Sequence, residues 1–373
     1  MPPRDSAGAL RLRDFPRLVQ LRREAKERAR LYREPDLTYL FWESTLRCNL
    51  RCRHCGSSCE AKSPLRELDT KEILGVLDTI AEDFDASRIF VSITGGEPLV
   101  RKDLFEVVAH MSKLGLASCI VTNGVLLDER NAARLVEAGM RTVSISVDGL
   151  AQTHEAVRGK GTFRPAIAAL GRARAAGITT VEAITCARPA NLAELADVER
   201  VVREAGADLW RVITIDRMGR LAGADAPDMW LTPPEVRRLL DFVEARRSSL
   251  AREGRQEQVR FSCGGFLGVR REHAVRPEAG QCYAGSAVAS ILCDGQVGAC
   301  PSLPRAWAAQ GSVREQRFSA IWRDRFERYR DLSWRRSGPC ESCSWFDTCL
   351  GGGLHERLVQ PDEFCWLERQ DGA

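Results

Sequence analysis

The residues of this 373-residue chain with the most chemical reach are its fourteen cysteines. Four lie within 48–59 and eight within 263–365, while only Cys119 and Cys186 fall between. Stable disulfides are rare in reducing compartments, and the N-terminus MPPRDSAGALRLRDF lacks the apolar core of a secretory leader. So many thiols then point to metal or redox chemistry. The stretch LRCNLRCRHCGSSCE (46–60) carries Cys48-x3-Cys52-x2-Cys55, three thiols on one loop. A structural zinc takes four protein ligands, usually from two C-x2-C knuckles or with histidines, and no second knuckle lies nearby. Three thiolates would leave one corner of a cubic iron–sulfur cluster unbound by protein, with an iron open to substrate. Cys59 lies outside the spacing. Cys119 and Cys186, in the apolar runs ASCIVT and VEAITCA, read as buried structural thiols.

The elements that must position this loop alternate. Over 37–225, β-branched runs (RIFVSITGG, ASCIVTNG, TVSISVDG, TTVEAITCA, LWRVITID) are separated by amphipathic helix-length segments such as TKEILGVLDTIAEDF. Repeated strand–helix units predict a parallel sheet covered by helices, a partial or complete α/β barrel. In barrels chemistry sits at the C-terminal strand ends, and GGEP, TNG and SVDG each follow a strand-like run. Residues 226–262 read as a helical bridge. Residues 263–373 read as a second, metal-stapled domain with a hairpin turning at Asp294-Gly295. Residues 1–36 are basic, with Leu18, Leu21, Ala25, Ala29 and Tyr32 at helical spacing, which predicts one amphipathic helix with a solvated charged face. The formal charge of +4 is too small and too evenly spread for nucleic acid. No apolar run reaches the roughly 18 residues of a membrane span, so a cytoplasmic protein is expected.

The cysteine loop, placed just after the strand-like LTYLFWEST, resembles that of the radical S-adenosylmethionine (radical SAM) enzymes. The resemblance implies an α/β fold with a partial (β/α)6 barrel, and a [4Fe-4S] cluster on Cys48, Cys52 and Cys55 that binds S-adenosylmethionine at its open iron. It implies that Gly95, Gly96, Glu97 and Pro98 of GGEP meet the methionyl end of the cofactor, with Glu97 accepting from its ammonium. Thr122, Asn123, Ser144, Ser146 and Asp148 stand where the family has polar contacts to cofactor and substrate. Arg158 would serve the cofactor carboxylate, so that Glu97 and Arg158 are the expected catalytic pair, and His54 would pack beside adenine. The chemistry implied is reductive cleavage of the cofactor to a 5′-deoxyadenosyl radical that abstracts hydrogen from an unactivated carbon.

The C-terminal spacing Cys282-x12-Gly295-x4-Cys300, Cys340-x2-Cys343-x5-Cys349, Cys365 resembles the SPASM extension, a small cysteine-rich domain binding one or two auxiliary [4Fe-4S] clusters. Carried over, Cys340, Cys343, Cys349 and Cys365 form one complete ligand set, and Cys263, Cys282 and Cys300 an incomplete one. Gly353 stands where the family usually has a further cysteine. Cys293 or His355 could fill that corner, and C-x2-C with later cysteines could also make a zinc ribbon. His110 and His273 read as solvated or core-satisfied, and His154 as near enough to Arg158 to reach the site.

The expected function is oxidative maturation, by crosslinking or a related oxidation, of a ribosomally made peptide, in a layout similar to that of the mycofactocin maturases. The alternatives are oxidation of a Ser or Cys side chain in a partner protein, or a non-catalytic iron–sulfur carrier or sensor. Expected partners are the peptide or protein substrate and an external reductant of flavodoxin or ferredoxin type; because 36 N-terminal residues leave no room for a winged-helix module, either a separate leader-peptide-binding protein is expected or the substrate is recognised directly.

Overall fold

The alternating runs fold as the period argument requires. In the computed structural model, which describes residues 4–5, 8–262, 264–279 and 282–367, they become six parallel strands. Cys263 lies outside the described residues. After a short hairpin of β1 (Arg4–Asp5) and β2 (Gly8–Ala9) comes α1 (Phe15–Arg33). The strands of the sheet follow: β3 (Tyr39–Thr45), β4 (Phe90–Gly95), β5 (Ala117–Thr122), β6 (Thr142–Ser146), β7 (Thr180–Ala187) and β8 (Leu209–Thr214). They pair in sequence order. Between them run α2 (Thr70–Asp83), α3 (Leu104–Lys113), α4 (Glu129–Glu137), α5 (Ala151–Arg158), α6 (Phe163–Ala176) and α7 (Leu195–Glu204). Local signals set their bounds. Asp69 caps α2 by accepting from Glu72 N, and its own amide donates to the Glu72 carboxylate in return, while α2 turns Ile73, Leu77 and Ile80 inward.

The sheet does not stop at the expected boundaries. The bridge forms α8 (Pro233–Ala251) and then returns as β9 (Val259–Phe261), a parallel neighbour of β8. Past residue 263 the chain comes back to the opposite edge. There β10 (Val288–Ile291) pairs parallel with β3, with Ser290 opposite Phe41. The hairpin turns at Gly295, whose φ of +88° favours glycine, into antiparallel β11 (Gln296–Gly298), and β12 (Gly311–Ser312) closes a ten-stranded open sheet. One continuous core therefore runs from Val91, Ile120 and Val143 to Val297, Trp322 and Trp366 of the C-terminal segment.

Helix α1 buries Leu18, Leu21, Ala25, Arg28 and Tyr32. Its partners are C-terminal: Arg28 donates to Thr348 O (3.1 Å) and Tyr32 to Cys282 O (2.7 Å). The expected amphipathic helix is present, with its inner face laid over the cysteine-rich segment. Among the described residues no helix is long and apolar enough to cross a membrane.

Candidate functional site

Parallel strands bring all their C-terminal ends to one side of the sheet, and the loop 46–60 leaves β3 there. Its root is fastened by Cys48 N to Glu60 O (2.7 Å) and by Leu46 N to the Glu67 carboxylate (2.9 Å). Two amides point at sulfur: Leu50 N lies 3.4 Å from Cys48 Sγ, and Cys59 N lies 3.4 Å from Cys55 Sγ. Burial pushes Cys48 up to about 11 and raises Cys52, while a hydrogen bond from the Cys59 thiol lowers Cys55. Cys59 is thus a buried neighbour of the trio, packed with Leu46 and Cys293.

Gly95 and Gly96 belong to this root. A Cβ on Gly96 would stand 2.1 Å from Arg47 O, and one on Gly95, at φ +120°, 2.3 Å from Thr45 O. Their bareness lets Gly96 N reach Thr45 O (2.7 Å) and Glu97 N reach Arg47 O (3.0 Å), so β4 grips the exit of the cysteine loop. Pro98 then opens a single 3-10 turn, and Glu97 is fully buried. Its carboxylate accepts from Thr122 Oγ1 (2.8 Å), Asn123 N (2.8 Å) and Leu99 N (3.2 Å). Burial raises its pKa against these bonds. A carboxylate has about four acceptor positions, so one remains for a further donor. Asn123 reaches from the end of β5 to Asn49 Oδ1 (2.8 Å), beside Cys48.

The other expected polar residues divide. Asp148, just past β6, is 1% exposed and accepts from Arg158 Nε (2.5 Å), His54 Nε2 (2.9 Å) and Cys186 N (2.8 Å). Burial alone would raise it, but the Arg158 charge and then His54 hold it well below the usual carboxylate range. His54 is therefore turned to a buried carboxylate. Ser144 sits mid-strand and donates to Glu182 (2.6 Å), which also pairs with Arg211 and Arg260 (2.7 Å each) deeper between the strands. Ser146, at the end of β6, is 9% exposed. His154 Nδ1 accepts from Asp148 N (3.0 Å), so its role is to hold the backbone there. His110 and His273 pair with Asp78 (2.6 Å) and Glu24 (2.9 Å) away from this end.

Three features escaped sequence reasoning. Cys119 is a buried structural thiol as expected. Cys186 is partly buried against the cluster of Val157 and Ile215, and its sulfur also lies within 4.8 Å of ligand atoms of both His54 and Asp148 at the strand ends, because β7 delivers it there. Arg220 clamps the cysteine loop, with its amide on Cys55 O (3.1 Å), one guanidinium nitrogen on Cys52 O (2.7 Å) and another on Cys59 O. Gly219 permits that approach, since a Cβ there would be 2.3 Å from Cys55 O. Buried Glu43 on β3 pairs with Arg305 of the C-terminal segment, and Cys293 N donates to it (3.2 Å). Cys293 thus belongs beside the cysteine loop, and is not placed to complete the Cys282–Cys300 set. The signal for Arg220 was a lone DRMGRLAG after a strand, which carries no spacing rule.

The C-terminal thiols frame two cavities. One of about 130 Å³ is bounded by Cys340, Cys343, Cys349 and Cys365 within Trp345, Phe346, Phe364 and Trp366. Burial pushes Cys349 up to about 12, with Cys365 and Cys340 adding to it. Leu18 and Leu21 of α1 roof this cavity through Phe266 and Trp345. The second, about 410 Å³, is bounded by Cys282, Cys300, Gly353 and His355. Four thiols lining one aromatic-walled cavity are the donor set that an iron–sulfur cluster takes.

Two family models match the chain: the radical SAM superfamily over 42–202, and an iron–sulfur cluster-binding domain, SPASM, over 282–344. The mycofactocin maturase of Mycolicibacterium smegmatis is 32% identical over 87% of this chain and 82% of its own length. The Fe-coproporphyrin III synthase of Methanosarcina barkeri is 27% identical over 88% of each. The solved structure of native anSMEcpe with bound AdoMet and Cp18Cys peptide superposes with a TM-score of 0.70 at 19% identity, covering 90% of this chain and 94% of that one. At that identity the likeness is one of fold.

Proposed function

The chain belongs to the radical SAM superfamily and carries the SPASM iron–sulfur domain behind it, and from that premise we propose that it is a maturase that oxidatively modifies a ribosomally made peptide. The observation that carries this reading is the match to a mycofactocin maturase across 82% of that protein, with both cysteine regions present in order. When bound, the cluster and S-adenosylmethionine supply a radical that removes hydrogen from the substrate, and the auxiliary clusters supply a path for the electron left behind.

The protein's own residues take these parts. Cys48, Cys52 and Cys55 hold the first cluster, their loop kept in shape by Arg220. Glu97, preset by three donors, offers its last acceptor position to the cofactor ammonium. Arg158, held by Asp148, would serve the cofactor carboxylate, and Asp148 also fixes His54. Cys340, Cys343, Cys349 and Cys365 would hold a cluster in the aromatic box, and Cys263, Cys282 and Cys300 another. Thiol chemistry of this kind suits the reducing cytoplasm.

A second reading is favoured by the Fe-coproporphyrin III synthase and by an AdoMet-dependent heme synthase of Methanosarcina barkeri, 28% identical over 89% of its length. It makes the substrate an iron porphyrin. The test is reconstituted enzyme given S-adenosylmethionine, dithionite and either the peptide encoded beside its gene or Fe-coproporphyrin III. Substrate-dependent 5′-deoxyadenosine and a mass change in the peptide support maturation. Turnover of the porphyrin with an unchanged peptide overturns it.

A further inference from the structure

Of the residues that bound the cavity of about 410 Å³, His355 alone carries an imidazole, and it shares that cavity with Cys282 and Cys300. Gly353, where the family pattern would place a further cysteine, lines the same cavity two residues before His355. On its other side His355 Nε2 lies 3.1 Å from Asp216 Oδ2, with the two side chains 13% and 15% exposed. A histidine that binds metal usually gives its second ring nitrogen to a carboxylate, which sets the tautomer and the ring plane. With Nε2 on Asp216, Nδ1 is the nitrogen that would meet a metal.

A second carboxylate stands beside the pair, since ligand atoms of Asp216, His355 and Glu356 lie within 4.8 Å of one another. Glu356 Oε1 accepts from Trp366 Nε1 (2.6 Å). Its Oε2 stands 2.5 Å from the point where a Cβ on Gly353 would fall, so a longer side chain at 353 would collide with it. Cys293 lies with Leu46 and Cys59.

We propose that His355, positioned by Asp216, is an iron ligand of the cluster held by Cys282 and Cys300. This rests on the reading that those two cysteines hold a cluster. A neutral imidazole in place of a thiolate lowers the negative charge on the cluster and makes it easier to reduce.

The test uses the full chain carrying Cys48→Ala, Cys52→Ala and Cys55→Ala, so that only auxiliary clusters contribute, reconstituted, reduced and studied by pulsed electron paramagnetic resonance. A directly bound histidine nitrogen should appear, change on ¹⁵N-histidine labelling, and vanish in His355→Cys with iron content retained and a lower midpoint potential. Asp216→Asn should retain the iron while altering both the nitrogen coupling and the potential. If the unmutated position 355 gives no histidine coupling, or if the coupling survives His355→Cys, His355 is not a ligand. Should Cys282→Ala and Cys300→Ala leave iron content and signals unchanged, the cluster reading itself falls and takes this proposal with it.

Discussion

The cysteine loop at the strand ends and the cysteine box beneath α1 use the same side chain in opposite surroundings. At the loop, polar groups crowd around the thiols: Asn123 on Asn49, Arg220 on three loop carbonyls, Arg158 against Asp148. Around Cys340–Cys365 the neighbours are Trp345, Phe346, Phe364 and Trp366, and the roof is Leu18 and Leu21. A site that must receive a charged cofactor needs fixed dipoles and ion pairs. A site that only passes electrons is served by a dry, close-fitting box that sets the potential. On the proposed function, the contrast is that between a place of chemistry and a place of relay.

Cysteine substitutions should break the contrast most sharply. Cys52→Ala is expected to abolish 5′-deoxyadenosine formation while the auxiliary signals persist. Cys349→Ala should remove iron from the aromatic box yet leave substrate-free cofactor cleavage. Cys59→Ala should retain the first cluster. Iron analysis with paramagnetic resonance reads all three, and loss of the first cluster in Cys59→Ala alone would overturn the ligand assignment.

Leu21→Ala tests the roof. Leu21 is fully buried, and a deletion of that size costs about 2–5 kcal/mol. Thermal unfolding should move earlier, and the box signal should weaken before that of the loop cluster.

His154 tests the polar side through pH. Burial first, then the Arg158 charge, holds it down to about 4 from an ordinary 6.5. The unfolded chain therefore binds more protons between those values, so stability rises with pH through that window and is lost as pH falls through it, by roughly 3 kcal/mol. Denaturant melts from pH 4 to 7 should show this slope flattened in His154→Phe.

The finest test is Glu97→Gln. It keeps the shape but loses a charge-assisted bond, about 1.5–3 kcal/mol. Binding of S-adenosylmethionine should weaken about tenfold to a hundredfold at unchanged iron content. Unaltered affinity in calorimetry would remove Glu97 from the cofactor site.

Much of this arrangement was legible because its signals are local. The spacing of Cys48, Cys52 and Cys55, the capping of α2 and the turn at Gly295 each live within a few residues. What was not legible depends on distant pairing. Nothing near Val288 announces a partner at Tyr39, so the C-terminal segment read as a separate domain when β10 in fact extends the barrel sheet. The same distance hid Arg305 from Glu43 and Arg220 from the cysteine loop. The nearness of Cys186 to His54 and Asp148 was hidden because an apolar run describes its strand, whereas its place at the end of β7 decides its company.

The pairing of β10 with β3 has a practical consequence for anyone dissecting the chain. Cutting after residue 262 would strip the covering from one side of Tyr39–Thr45 and leave a row of bare amides and carbonyls beside Phe41 and Trp42. Such an edge recruits other strands. The shortened piece should self-associate rather than persist as a small monomeric enzyme.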